Sequence, residues 1–215
     1  MSVLLCIATE LEARLLRSEL GDRQRIRIVV TGVGPVNAAH GVTMALAQHR
    51  PEVIVNIGIG GAYPSSGFTI GDVACASDEI YGDLGAQSPG GFLDMRDLGF
   101  PVIRREGEAI FNEIPMQVFP SVRRARFVTV STCTGTESTA REIEERTGGA
   151  VENMEGAAIA HVANLHGIPV GEVRGISNIV TNRDKETWRM REASEAAQNA
   201  VLDWLKTQDL KPLRP

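Results

Sequence analysis

Short apolar runs alternate with amphipathic stretches along most of this chain. Val3–Ala8, Arg25–Thr31, Val53–Gly58, Asp72–Asp78, Arg126–Ser131 and Val170–Ser177 have strand length, and several are rich in Val and Ile, the pattern of strands covered on both faces. Between them, Glu10–Leu20, Val36–Gln48, Thr136–Arg146, Glu155–Leu165 and Thr187–Leu205 repeat apolar positions at helical spacing. Pro35 punctuates a helix start and Gly167 a helix end. Strand and helix in alternation predict an α/β fold with helices layered on a sheet. The stretch from Tyr81 to Met116 has little periodicity and several Gly and Pro residues. Long loops are expected there, carrying substrate or subunit contacts. With no long linker, repeat or low-complexity segment, residues 1–215 read as one domain.

Composition narrows the function classes. The net charge is −5, from 22 basic and 27 acidic residues, and the charges are interspersed. No basic stripe follows a phosphate backbone, so nucleic acid is not an expected partner. The first apolar run is too short for a membrane span and soon meets Glu10 and Glu12; it is neither a signal segment nor a membrane anchor. Cys6, Cys75 and Cys133 are odd in number and widely separated, which predicts reduced thiols in a cytoplasmic protein, with no disulfide and no cysteine metal site.

Familiar motifs are missing. Gly32-Val33-Gly34-Pro35-Val36-Asn37 and Gly58-Ile59-Gly60-Gly61-Ala62-Tyr63 both follow predicted strands, yet neither completes the glycine pattern of a dinucleotide site. The chain has no phosphate loop, no zinc-protease helix and no serine-hydrolase elbow. His161 and His166 stand at i and i+5 on one predicted helix, do not share a face and receive no role.

Two segments remain, Val151-Glu152-Asn153-Met154-Glu155-Gly156-Ala157-Ala158 and Arg174-Gly175-Ile176-Ser177-Asn178. Glu155 offers two oxygens that accept from a vicinal diol, and Met154 an apolar, polarizable face for a sugar. Acidic residues are also common in first helical turns, so Glu155 has a purely structural reading too. Arg174 stands on an otherwise apolar strand, where a charge is costly unless paired. An ion pair with Glu12 or Glu155 is expected; an outward-facing edge arginine is the alternative. Asn178 both donates and accepts, or simply caps the turn after its strand, as Ser177 could.

These segments, together with Ala8-Thr9-Glu10-Leu11-Glu12, Gly32-Val33-Gly34, Asn56-Ile57-Gly58-Ile59-Gly60-Gly61, Glu79 with Asp83-Leu84-Gly85, and Thr134-Gly135, carry a resemblance. In their order and separation the chain resembles the nucleoside phosphorylase and nucleosidase superfamily and, within it, the futalosine hydrolase family. The resemblance implies a three-layer α/β/α sandwich with a mixed central sheet. It implies hydrolysis of the N-glycosidic bond of futalosine, releasing hypoxanthine and dehypoxanthine futalosine on a route to menaquinone, without metal or organic cofactor. It further implies a cytoplasmic homo-oligomer, a dimer or larger, with a purine nucleoside as its small-molecule partner.

Residue by residue, the resemblance makes Glu12 the general base for the attacking water; on residue chemistry alone, Glu12 equally suits the positive end of a helix. It makes Glu155 the acceptor for the ribose hydroxyls, with Met154 lining the same sugar, and places Arg174 near the water or the carboxylates. Nucleosidases for 6-aminopurines carry Asp where this chain has Asn178. An amide donates to O6 and accepts from a protonated N7, so a 6-oxopurine is implied and Asn178 joins Glu12 as a catalytic candidate. Gly60, Gly61, Thr134 and Ser177 complete the expected substrate-binding set. Gly58, Gly60 and Gly61 fit either close backbone approach to substrate or a tight strand-to-loop turn. Arg183-Asp184 with Trp188 resembles the family's loop and helix start after the base reader, and either Arg183 or Arg96 would be the cation for the benzoate on the 5′ side. The competing activities are a 6-oxopurine nucleoside phosphorylase, a methylthioadenosine or adenosylhomocysteine nucleosidase, and a catalytically silent purine binder. A carboxylate at Glu12 would repel phosphate, which favours hydrolysis.

Overall fold

The computed structural model describes residues 1–21, 24–105, 107–118 and 120–208. In chain order these form β1 (Val3–Ile7), α1 (Glu10–Leu20), β2 (Ile26–Val30), α2 (Pro35–Gln48), β3 (Val53–Ala62), β4 (Val73–Tyr81), β5 (Gly85–Ser88), β6 (Gly91–Asp94), β7 (Ile103–Arg105), β8 (Glu108–Ile110), β9 (Glu113–Pro115), β10 (Arg123–Thr129), α3 (Glu137–Thr147), β11 (Val151–Asn153), α4 (Gly156–Leu165), β12 (Val170–Ile179) and α5 (Met190–Thr207).

The central sheet is mixed, in the order β11-β10-β4-β12-β3-β1-β2, with β9 added to β4. β1 is parallel to both β2 and β3, β12 is parallel to β3, and β4 runs antiparallel to β12. β11 pairs with β10 on one side and with the end of β3 on the other. The strands β3, β12, β4, β10 and β11 therefore close on one another. This closure sets Gly61 opposite Glu152 on one side and opposite Asn178 on the other.

Period-two alternation divides the core between the two faces. Val3, Leu5 and Ile7 of β1 join Ala13 and Leu16 of α1 and Ala197 and Val201 of α5. Leu4 and Cys6 point the opposite way, toward Ala38 and Val42 of α2 and Ala157 and Ala160 of α4. Two helical layers thus cover one sheet, as the α/β reading predicts. Pro35 occupies the first turn of α2, and Gly167, at φ 63°, closes α4 in the left-handed conformation that glycine adopts without penalty. No described helix is long and apolar enough to cross a membrane.

Three expectations change. The Tyr81–Met116 stretch is built largely of short strands rather than long loops: β5 pairs with β6, β7 with β8, and β9 with β4. Their residues are mostly exposed or half-buried, and each strand is too short to leave a hydrophobic period. β3 continues through Gly58, Gly60 and Gly61 to Ala62, so these glycines do not form a strand-to-loop turn. β12 likewise runs to Ile179, with a register irregularity between Ile176 and Asn178, which places Asn178 within a strand rather than as a cap beyond it.

Candidate active site

Thr9 and Glu12 open α1 as a capping pair. The Thr9 side chain accepts the Glu12 N–H at 3.3 Å, and its hydroxyl donates to Glu12 Oε2 at 2.6 Å. Glu12 Oε1 accepts the Ile59 N–H at 3.0 Å. The carboxylate, though in a first helical turn, is therefore turned inward against β3 and is 5% exposed. Gly58 makes this approach sterically feasible: a Cβ there would lie 2.8 Å from Glu12 Oε1 and would overlap Arg174 Nη1.

Arg174 is 2% exposed. Its Nη2 pairs with Glu155 Oε2 at 3.1 Å, Nε with Glu172 Oε1 at 2.7 Å, and Nη1 donates to the Ile59 carbonyl at 3.1 Å. The expected pair with Glu155 forms, and the edge-facing alternative is excluded. With Glu12 the relation is a longer-range attraction. Burial pulls the guanidinium pKa down, but Glu172, Glu155 and Glu12 together more than offset it and hold it above its ordinary value. Glu155 Oε1 also accepts the Gly34 N–H at 3.0 Å, which ties α2 to the site.

Glu155 stands at the cap position of α4 but makes no capping bond with its side chain. Asn153 caps the helix instead, its Oδ1 accepting the Glu155 N–H at 2.9 Å and the Gly156 N–H at 2.7 Å. The Glu155 carboxylate is thereby left available to Arg174 and to the cavity.

On the other side, Ser177 Oγ lies 2.8 Å from Asn178 Oδ1 and 3.2 Å from the Gly60 carbonyl, while Asn178 Nδ2 donates to the Ile179 carbonyl at 3.2 Å. With the Ser177 proton on Oδ1, the amide retains one N–H and one Oδ1 lone pair for a ligand. A Cβ on Gly61 would lie 3.0 Å from Asn178 Nδ2, and one on Gly60 would lie 2.9 Å from the Glu152 carbonyl. These glycines clear space for neighbouring strands and for the Asn178 amide. Thr134 is held by Glu152, which accepts its N–H at 2.9 Å and its hydroxyl at 2.5 Å, and also the Tyr63 hydroxyl at 2.9 Å. Burial raises the Glu152 pKa, against the lowering effect of these hydrogen bonds.

Most of these groups border one cavity of about 280 Å³, lined among others by Glu12, Glu155, Arg174, Asn178, Met154 and Thr134. Gly60, Gly61 and Ser177 also reach it. Its surface combines a few convergent polar groups with Leu11, Val33, Met154 and Met190, the character of a small-molecule site. Arg183 lines this cavity, with its guanidinium 4.8 Å from the Trp188 ring centre. Arg96 does not; it pairs with Glu113 at 2.8 Å and lies against Phe111. Asp184 caps a short 3-10 turn by accepting the Glu186 N–H. His161 Nδ1 sits 3.2 Å from the Tyr81 hydroxyl, and burial lowers its pKa. Cys6 and Cys75 are buried, with burial pushing their thiols up to about 12 and about 11.

Sequence reasoning assigned no role to Glu172, Asn153 or Glu152. Glu172 had a legible signal, because Glu172-Val173-Arg174 on an apolar strand puts opposite charges on one face at i and i+2. Asn153 directly precedes the Met154-Glu155 pair, in a position suited to capping the helix that follows. Glu152 had no comparable signal, since its partners come from distant strands and loops.

The sequence profile of the phosphorylase superfamily matches residues 7–206. A futalosine hydrolase from Streptomyces coelicolor is 36% identical over 189 residues, covering 81% of this chain and 76% of that protein. One from Thermus thermophilus is 32% identical over 179 residues, covering 80% and 77%. Among solved structures, a 5'-methylthioadenosine/S-adenosylhomocysteine nucleosidase from S. pneumoniae with a transition-state inhibitor superposes with a TM-score of 0.81 at 19% identity, over 97% of this chain and 100% of that one. At that identity the match speaks for the fold alone.

Proposed function

The chain belongs to the phosphorylase superfamily, and from that premise we propose that it is a futalosine hydrolase, with residues 1–215 as one nucleosidase domain. Identity of 32–36% to futalosine hydrolases over about four fifths of the chain supports this choice. The observation that carries it is the pairing, on one cavity, of a water-side carboxylate cluster with an amide at the base-reading position.

Hydrolysis builds positive charge on the ribose and negative charge on the departing base. Glu12 takes a proton from water as its oxygen attacks the anomeric carbon. Because Ile59 N–H and Thr9 hold both carboxylate oxygens, the base is aimed before substrate arrives. Glu155 accepts from the ribose diol while Arg174 fixes its orientation, and Met154 lies along the sugar. As the C1′–N9 bond breaks, the remaining Asn178 N–H donates to O6, and Oδ1 accepts from N7 once it is protonated from solvent. Adenine presents an amino donor where the Asn178 N–H would point, so a 6-oxopurine is favoured. Arg183, beside Trp188 at the cavity wall, is the cation for the benzoate of the 5′ chain.

Hypoxanthine is then the released base, and the product sugar passes into a menaquinone route in the cytoplasm. The exposed Leu11 and Val33 at the cavity, with Val36 exposed on α2, suit a homo-oligomer. Turnover in water enriched in oxygen-18 tests the reaction type: hydrolysis puts the label on C1′ of the released sugar, whereas phosphorolysis leaves the sugar unlabelled and requires phosphate.

A further inference from the structure

Two more carboxylates, Glu79 on β4 and Glu172 on β12, lie beneath the first turn of α4, both at 0% exposure. Neither borders the cavity. Glu79 Oε2 accepts the Thr129 hydroxyl at 2.8 Å, and Oε1 accepts Asn153 Nδ2 at 2.5 Å. Glu172 Oε1 accepts the Arg174 Nε–H at 2.7 Å, while its Oε2 is buried with no hydrogen-bond partner. A Cβ on Gly156 would overlap both Glu79 Oε1 and Glu172 Oε2, so the two oxygens stand side by side where only a glycine admits them.

Two bare carboxylates do not share a dry site; one keeps a proton. The surroundings sharpen that demand. Arg174 already serves Glu155 and Glu172 and attracts Glu12, so a fourth anion at Glu79 would go without a counter-charge. Glu79 has two donors on it, Thr129 and Asn153, and still has the orphan Glu172 Oε2 beside it to receive an O–H.

We infer that Glu79 and Glu172 share a single proton, carried by Glu79 and donated to Glu172 Oε2, and that this pair is the positioning device for the cavity above it. Glu172, kept anionic, orients Arg174 through Nε, so that Nη2 meets Glu155 and Nη1 meets the Ile59 carbonyl. Glu79 sets the Asn153 amide with Nδ2 toward itself, which turns Oδ1 to the Glu155 and Gly156 N–H groups. It also fixes Thr129, whose hydroxyl oxygen accepts the Ala157 N–H at 2.8 Å. Both members of the Arg174–Glu155 ion pair are thus referred to one buried proton. Glu79 and Glu172 are positioning residues; they touch no substrate.

The catalytic consequence rests on the nucleosidase reading; the shared proton does not. The test combines infrared spectra in H2O and D2O with steady-state kinetics on the full chain. At neutral pH the wild type should show the carbonyl stretch of a neutral carboxylic acid. That band should vanish in both Glu79→Gln and Glu172→Gln, since each leaves one anionic carboxylate facing an amide donor. Activity should be asymmetric. Glu79→Gln keeps a donor toward Glu172 Oε2 but puts an amide nitrogen where Oε1 accepts Asn153 Nδ2, so it should keep part of the turnover that Glu79→Leu loses, while Glu172→Gln, which moves the charge away from Arg174 Nε, should lose about 100-fold in kcat. No band in the wild type, a band persisting in Glu172→Gln, or equal activity of the two Gln variants would overturn the inference. Should no purine nucleoside be cleaved, the functional proposal fails while the infrared comparison still decides the proton.

Discussion

Arg174 of β12 stands directly opposite Gly58 of β3, and its Nη1 occupies the space that a side chain at Gly58 would need. The glycine is part of the site because it has no side chain. A methyl group there displaces the cation that meets Glu155 and Glu172 and crowds Glu12 Oε1 as well. Gly58→Ala should therefore lower kcat/KM about 100-fold while leaving the far-ultraviolet circular dichroism unchanged, since the strand pairing uses backbone atoms. Unaltered kinetics would show that the guanidinium position does not matter.

Asn178 offers one free N–H and one free lone pair beside Ser177. Asn178→Asp removes the donor to O6 and should cost about 1–3 kcal/mol on a 6-oxopurine nucleoside, raising relative activity on 6-aminopurine nucleosides. The ratio of kcat/KM for futalosine and methylthioadenosine measures the switch. An unchanged ratio would remove Asn178 as the base reader.

Arg183 reaches the cavity and Arg96 does not. Arg183→Ala should raise KM for futalosine roughly tenfold through loss of a charge-assisted contact, with little effect on inosine, which lacks the benzoate. Equal loss on both substrates would mean that Arg183 acts elsewhere.

Burial, reinforced by the negative charge of Glu172, holds the Glu79 carboxyl well above its ordinary 4.5. The unfolded chain releases that proton near 4.5 while the native state keeps it, so native protein binds more protons and stability falls as pH rises through this window. Glu79→Gln cannot lose a proton. Urea unfolding across pH should show wild-type stability declining relative to the variant from just above 4.5 upward. A pH-independent difference between the two would contradict the raised pKa.

Glu12→Gln keeps the shape of the water-side carboxylate but loses its basicity. Turnover should fall by about 100-fold or more while KM changes little. Parallel loss of binding and rate, or normal activity, would take the general-base role from Glu12.

Strand and helix were readable where one residue pattern governed a long stretch. The unbroken apolar run of β1 and the Thr9-to-Glu12 opening of α1 are local, and the sequence displays both. β11 was hidden because Val151–Asn153 is three residues long and draws its identity from pairing with β10 and β3, which lie far away in the chain. Arg174 stood out as a charge on an apolar strand, whereas Glu155 and Asn178 were picked out by the resemblance of their segments to the nucleosidase family. Glu79 did not acquire meaning until folding set it beside Glu172 and Asn153, since a carboxylate on a strand gives no sign of which charge it will face. The glycines of β3 were visible, but their reason is tertiary: each admits a side chain or backbone from another strand.

Chromatographic detection of the base released from futalosine, inosine and methylthioadenosine, each with and without phosphate, puts the hydrolase assignment at risk most directly. Phosphate-independent release of hypoxanthine from futalosine, well above any release from the other two, is the expected result. Phosphate-dependent cleavage of inosine, preferential release of adenine from methylthioadenosine, or no release from any of the three would contradict it.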